Sequence, residues 1–425
     1  MLVLGRGPKR ETVALILRNA PSAPVAVPPP KPTKTPSRII LKPADTVWVD
    51  SSGSMHTFYE ALLATERKKP GAITRVLHYG DSPTTADLIT ADVREGLQKR
   101  FGDGGHGFVL VGRPWAWYGH RGISIKAGGW THQPASQNPR AADSLHGLGG
   151  VNTTGRAGAT SKITLPDGGH KKMEVLYLKQ PGGGEFQVKA GEQDLLTVLT
   201  DAEAKANGYS AVTLPEGTEE VKLAVTKGKV RVFGVTFEKE GPGIVYSSLG
   251  LNGVSIQMLA RFFPAEHWGE QLQHQRPDLV VVNYGSNEAG FASYVERYYA
   301  KELRVVLQRV RRALPNTAIL VMSPMDRGER NASGEIVSLA ALPRLIEIQR
   351  QVAQEEGCAF FDTFDAMGGA GTMAKWYNGK PRLVSADFLH PNPTGAAKVG
   401  ALLEEALLKD YGRWKAARGI AAGAP

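Results

Sequence analysis

A serine, a histidine and an aspartate together can turn a neutral hydroxyl into a nucleophile, and this chain carries all three beside turns. Gly80-Asp81-Ser82 closes a short apolar run, 75–79, in which Val76, Leu77 and Tyr79 supply the β-formers. Asp387-Phe388-Leu389-His390 stands near the C-terminus, ahead of Pro391-Asn392-Pro393-Thr394-Gly395 and an amphipathic stretch. Between them, the continuous apolar run 279–284 ends in Gly285-Ser286-Asn287, a glycine turn that presents a side-chain amide. An amide donor with one or two backbone N–H groups is what a developing oxyanion needs.

Spacing alone does not single out the last pair, because Asp-x-x-His also occurs at Asp103/His106, Asp143/His146 and Asp167/His170. Asp103-Gly-Gly-His106 and Asp167-Gly-Gly-His170 read as glycine turns. Only Asp387/His390 precedes the terminal helix of an α/β pattern, on a loop able to return to a crevice. Ser82 has a plainer reading too, as the cap of the helix that follows it.

The elements that must position these residues are legible in the hydrophobic pattern. Pro83 suits a first helical position, and Ile89, Val93, Leu97 and Phe101 repeat every four residues, so a helix is expected from the serine to Phe101. Strand, tight turn, serine and helix put the hydroxyl at the carboxyl end of a sheet strand, where open α/β folds bind ligands. A short helix is expected over 54–63 and a doubly buried strand over 279–284. Helices over 294–314 and 342–356 alternate with strands over 318–322 and 358–361, and a final helix closes the chain. That alternation predicts a parallel sheet with helices on both faces. It is interrupted between about 123 and 240, where glycine rises and short strand candidates follow at 172–179, 185–189, 195–199, 221–226 and 230–238. Val221, Leu223 and Val225 alternate with Lys222 and Ala224, and strands at this spacing predict an inserted β-sandwich.

In the order Gly-Asp-Ser, Gly-x-Asn, Asp-x-x-His, the chain resembles the SGNH/GDSL hydrolase superfamily, with Pro83 where the name has leucine. The resemblance implies a flavodoxin-like three-layer α/β fold. Carried over residue by residue, it makes Ser82 the nucleophile, His390 the base and Asp387 its orienting carboxylate. Asn287 and the Ser82 backbone would stabilise the oxyanion with a second-block glycine from Leu249-Gly-Leu-Asn-Gly253, for which Gly253 is preferred over Gly250. With an inserted sandwich, the chain is similar to bacterial peptidoglycan O-acetylesterases, some of which carry a carbohydrate-binding-like module there. The stretches 101–108 and 113–118 share that likeness. The implied activity is removal of O-acetyl groups from a cell-wall or other polysaccharide, peptidoglycan first. A polysaccharide O-acetyltransferase using the same triad, or a non-catalytic glycan-binding protein, are the alternatives.

Four segments follow: a disordered Pro-rich basic linker over 1–45, hydrolase parts over 46–122 and 241–425, and the insertion over 123–240. Seven prolines fall between Pro21 and Pro36, a density that favours extended linker conformations. Residues 1–42 hold eight Lys or Arg against one acid, so +7 of the formal +10 charge lies there. The balanced remainder, without a basic-aromatic binding pattern, argues against nucleic acid as a partner. The tail is either merely solvated or lies against anionic envelope polymers. Trp115, Trp117, Tyr118 and Trp130 could stack on sugar faces or pack at a domain junction, and His78 reads as a structural strand residue. No metal-ligand spacing or phosphate loop is seen, so no metal and no cofactor are expected. The single cysteine, Cys358, allows no intrachain disulfide. No stretch is long enough to span a membrane, and the early apolar run 13–17 is shorter than a signal-peptide core. A periplasmic or envelope location is implied by the resemblance.

Overall fold

A six-stranded sheet runs in the order Trp48–Val49, Ala359–Phe361, Ala318–Met322, Leu279–Asn283, Ile73–Gly80, Gly243–Gly250. The computed structural model describes residues 47–138 and 140–421, all within the unit Pro43–Pro425. The Pro-rich tail expected over 1–45 lies outside the described residues. All pairings in this sheet are parallel except that of Trp48–Val49, which runs antiparallel along Ala359–Phe361.

Side chains alternate across the sheet, so each strand feeds two cores. Val76, Leu279, Val281, Leu320 and Met322 face the helices His56–Glu66, Ile89–Phe101 and Pro393–Ala416. Leu77, Tyr79, Val280, Val282 and Val321 face Ala265–Gln275, Ala300–Ala313 and Leu342–Glu355. The expected periodic residues Ile89, Val93, Leu97 and Phe101 are all buried on one helix face.

One expected element is broken. The helix read as continuous from the serine to Phe101 is a single turn, Ser82–Thr85, followed by a second helix, Ile89–Phe101. Asp87 lies between them in the left-handed region, with φ +51°. Its buried carboxylate accepts from Arg94 Nη1 and Nη2 at 3.0 and 2.7 Å, from Thr90 Oγ1 at 2.7 Å and from the Arg121 N–H at 2.9 Å. Four bonds to a buried charge outweigh the cost of one strained backbone torsion.

Nine strands form a second, antiparallel sheet, beginning at Gly107–Val109 and ending at Lys229–Lys239. The β-sandwich expected over 123–240 takes the form of this one nearly closed sheet. Two long strands change partners along their length. Val151–Thr164 pairs through residues 160–164 with Glu220–Lys227, and through residues 153–156 with Lys229–Lys239. Inside lie Ile163, Val175, Phe186, Leu223, Val232 and Phe237. The expected alternation of Val221, Leu223 and Val225 is present, with all three buried. The strands Ser124–Pro134, Val151–Thr164 and Ala206–Thr213 add to those expected from the hydrophobic pattern. Phe108, Leu148, Leu176 and Phe233 join the core beneath Leu77 and Tyr79, so the second sheet shares apolar packing with the first.

Two glycines let the serine turn sit against the strand ends. A Cβ on Gly80 would lie 2.1 Å from Thr84 Oγ1, and one on Gly250 would lie 2.5 Å from the Thr85 nitrogen. Gly250→Ala is therefore expected to lower stability by about 1–3 kcal/mol in urea unfolding, as overpacking against backbone does. Gly412→Ala, in open space on the last helix, is the contrasting case. It should raise stability by about 0.4–1 kcal/mol.

Candidate active site

Ser82 is the first residue of its helical turn, and Asp81 occupies the cap position ahead of it. The plainer reading of the serine as a cap therefore does not hold. Ser82 Oγ lies 2.8 Å from His390 Nε2, although 308 residues separate the two in sequence. The turn beneath it is pinned by Thr85 Oγ1 donating to the Ser82 carbonyl at 2.8 Å and Ser248 Oγ donating to the Thr84 carbonyl at 3.0 Å.

His390 comes from the loop before the last helix, which starts at Pro393 with Asn392 as its cap, accepting from the Gly395 N–H at 2.9 Å. The loop is closed by Ser385 N–H donating to the His390 carbonyl at 2.8 Å and by the Val384–Pro391 bridge. Phe388 turns the chain with φ +55°, and its ring packs edge-on against Tyr377. That turn aims Asp387 back at the loop. Its Oδ1 accepts from the Leu389 and His390 N–H groups at 3.1 and 3.0 Å, and its Oδ2 lies 2.6 Å from His390 Nδ1.

Burial pushes the Asp387 carboxyl up, but the His390 ring and these two backbone donors outweigh it and hold the group down at about 2. An ionised carboxylate only accepts, so Nδ1 carries the ring proton and Nε2 is left as an acceptor for the Ser82 hydroxyl. The arrangement can draw the proton off Oγ.

The remaining expected site residues meet one another on the second and third blocks. Asn287 Nδ2 donates to the Val254 carbonyl at 2.7 Å, beside Gly253, and the amide has a second N–H to offer. Gly253 has φ +68° and open space where a Cβ would stand, whereas Gly250 is packed against the serine turn. Glu288, buried, accepts from the Ile256 N–H at 2.7 Å and fastens the same two segments together.

A crevice of about 390 Å³ opens at the serine, lined by Ser82, Pro83, Ala86, Leu88, Trp117, Asn252, Asp387, His390 and Pro391. Of the four candidate stacking aromatics, only Trp117 reaches it, and it is 54% exposed. Trp115 and Tyr118 pack on the core, with Tyr118 OH 2.8 Å from the Leu110 nitrogen, and Trp130 Nε1 donates to the Thr160 carbonyl. His78 is buried against Tyr246 OH at 2.7 Å, and desolvation lowers it to about 4, so it is a neutral strand residue. Asn252 lines the crevice although its sequence reading gave it no role. Its place next to a glycine in the second block was the only signal for it.

Burial raises the Glu288 carboxyl from the ordinary 4.5 to about 8, and a nearby Asp81, itself raised to about 7 by burial, adds to this. Between those limits the folded chain keeps a Glu288 proton that the unfolded chain has lost, so stability falls as pH rises through the window. Glu288→Gln should show a smaller loss of urea stability than wild type from pH 5 to pH 8. An equal loss in both proteins would mean that the buried carboxyl is ionised throughout.

Residues 220–398 match the model of the GDSL-like Lipase/Acylhydrolase family. That segment holds Gly253, Asn287, Asp387 and His390, and Ser82 lies ahead of it. A solved structure titled as a peptidoglycan O-acetylesterase in action is similar to the chain, with TM-score 0.72, 21% identity, and 86% of this chain and 99% of that one covered. A family two carbohydrate esterase from Clostridium thermocellum aligns with TM-score 0.30 and 12% identity, over 68% of this chain and 99% of that one. A salicylyl-acyltransferase from a tetracycline biosynthetic pathway aligns with TM-score 0.32 and 15% identity, over 68% and 96%. No curated protein matches the chain. The matched segment, the fold and the bonded Ser82, His390 and Asp387 are all in agreement with a GDSL-like acylhydrolase acting on ester bonds.

Proposed function

We propose that this hydrolase removes O-acetyl groups from a polysaccharide of the bacterial envelope, peptidoglycan first, in the periplasm or at the cell surface. The observation that carries the reading is the Ser82–His390–Asp387 line of hydrogen bonds, at 2.8 and 2.6 Å, at an open crevice. The fold shared with a structure titled as a peptidoglycan O-acetylesterase supports the choice of substrate.

Ser82 Oγ attacks the acetyl carbonyl while His390 Nε2 takes its proton, and Asp387 stabilises the imidazolium that forms. The Ser82 and Gly253 N–H groups and the second N–H of Asn287 stabilise the tetrahedral oxyanion. His390 returns the proton to the sugar oxygen as it leaves, and water then releases acetate from Ser82 by the reverse sequence. Trp117 offers a flat apolar face beside the serine, suited to the C–H face of a pyranose. A crevice open to solvent on one side suits an acetyl group on a chain too large to be enclosed.

The test is acetate release from O-acetylated peptidoglycan. Wild type should release acetate, folded Ser82→Ala and His390→Ala almost none, and Asn287→Ala on the order of 10²–10³ less, as loss of one oxyanion donor does. A folded Ser82→Ala that retains activity would overturn these roles. Cleavage of a small activated ester by wild type, with no release from the glycan, would keep the triad and remove the substrate. Trp117→Ala should raise KM for the polymer more than KM for the small ester. Equal effects on both would remove its part in glycan binding.

A further inference from the structure

Three of the Asp-x-x-His pairs lie outside the candidate active site, and folding brings parts of two of them together. His106 precedes the strand Gly107–Val109, while Asp167 and His170 bound the turn that starts the strand His170–Lys179. The ligand atoms of His106, Asp167 and His170 all lie within 4.8 Å of one another. His106 Nε2 stands 3.3 Å from Asp167 Oδ1, and His170 Nδ1 stands 3.9 Å from the same oxygen. The two imidazole rings are stacked, with centroids 5.1 Å apart.

Packing alone does not account for the buried member of this cluster. His170 is 1% exposed, and neither of its ring nitrogens has a hydrogen-bond partner. A buried polar atom left unpaired costs on the order of 1–3 kcal/mol. His170 is aimed into a space already bordered by a second imidazole and a carboxylate. Lys239 Nζ binds Asp167 Oδ2 at 2.6 Å and Asp103 Oδ2 at 2.7 Å, which orients Asp167 and leaves Oδ1 for the two histidines.

From this geometry we infer that His106, Asp167 and His170 form a site for a divalent transition-metal ion, Zn²⁺ by the nature of its donors. Two imidazoles and one carboxylate are the ligand types that zinc takes, and they match magnesium or calcium poorly. Ligands about 2.0–2.1 Å from a tetrahedral ion stand roughly 3.3 Å from one another, which the His106–Asp167 separation already meets. The His170–Asp167 separation of 3.9 Å closes by movement of Asp167, whose side chain is 37% exposed, and that between the two imidazoles by rotation of their rings. The fourth position faces solvent on the Asp167 side and takes water. The imidazoles are neutral as ligands, so when Nε2 of His106 turns to the ion the ring carries its single proton on Nδ1. The ion joins the loop that leaves the Ile89–Phe101 helix to the turn between the strands Val151–Thr164 and His170–Lys179 of the second sheet. Its role is a clamp between the two sheets, separate from the chemistry at Ser82. Sequence spacing gave no sign of it because 61 residues separate His106 from Asp167.

The full chain, stripped with chelator, is titrated with ZnCl₂ by calorimetry and followed by thermal unfolding. Wild type should bind one equivalent and gain several degrees in Tm. Asp167→Asn, which keeps the side-chain shape, and His106→Gln should each bind at least tenfold more weakly and lose the Tm gain, with unchanged far-UV circular dichroism. Either variant alone is sufficient for the comparison if the other does not fold. Wild type that binds no Zn²⁺, or variants that bind it as wild type does, would overturn the site. The second result would place the ion elsewhere, at Asp143/His146 or Asp387/His390.

Discussion

A serine hydroxyl loses its proton to an imidazole only within hydrogen-bond reach, and in this chain the two groups stand at opposite ends of the fold's sequence. Holding Ser82 Oγ at 2.8 Å from His390 Nε2 requires both loops to be fixed to one rigid body. The parallel sheet is that body. Ile73–Gly80 lies between Gly243–Gly250 and Leu279–Asn283, so the three blocks end side by side at one edge of neighbouring strands. The terminal helix then packs on Ile89–Phe101 through the same core as Val76 and Leu279, which brings the 384–391 loop over the serine turn. An error of an ångström in that packing is enough to break the line of bonds.

The serine turn itself depends on a buried charge. Asp87 lies between the first turn and the second helix. Burial raises its carboxyl, yet Arg94, His120 and Thr90 together bring it far below the carboxylate range, so it is an anion inside the protein. Such a pair is favourable only when every lone pair is used, and four donors converge on it. The strain at Asp87 is thus offset by contacts from the helix it interrupts.

The legible parts of this molecule were those set by local pattern. The 75–79 strand, the Ile89 to Phe101 face, the 279–284 run and the Asp387/His390 loop follow from period, turn residues and order along the chain. The break at 86–88 was not legible, because its cause is Arg94 and Arg121 rather than any breaker in the local sequence. The strands Ser124–Pro134 and Val151–Thr164 were hidden by glycine and threonine. Gly129 lies at a register shift, and in Val151–Thr164 the burial pattern is irregular where the strand exchanges partners. Trp117 could not be told from Trp115 by type or spacing. Only the tertiary position shows one ring in the crevice and the other against the core.

The loop between Val109 and Ser124 explains how the second sheet bears on the site without contributing to the line of bonds. It leaves a strand of that sheet, Gly107–Val109, and returns to it at Ser124. On the way it places Trp117 in the crevice and donates the Arg121 N–H to Asp87 at 2.9 Å. Arg121 also binds Asp92 at 2.6 Å and Glu95 at 3.0 Å on the helix that follows the serine turn. The same loop therefore borders the crevice at one point and anchors the floor beneath Ser82 at another. Its two ends are held by a sheet whose outer residues, Phe108 and Phe233 among them, share a core with Tyr79. A detached module could shift its loop relative to the serine, whereas a sheet sharing that core cannot do so without opening apolar surface on both sides. The width of the crevice is in this way coupled to the packing between the two sheets.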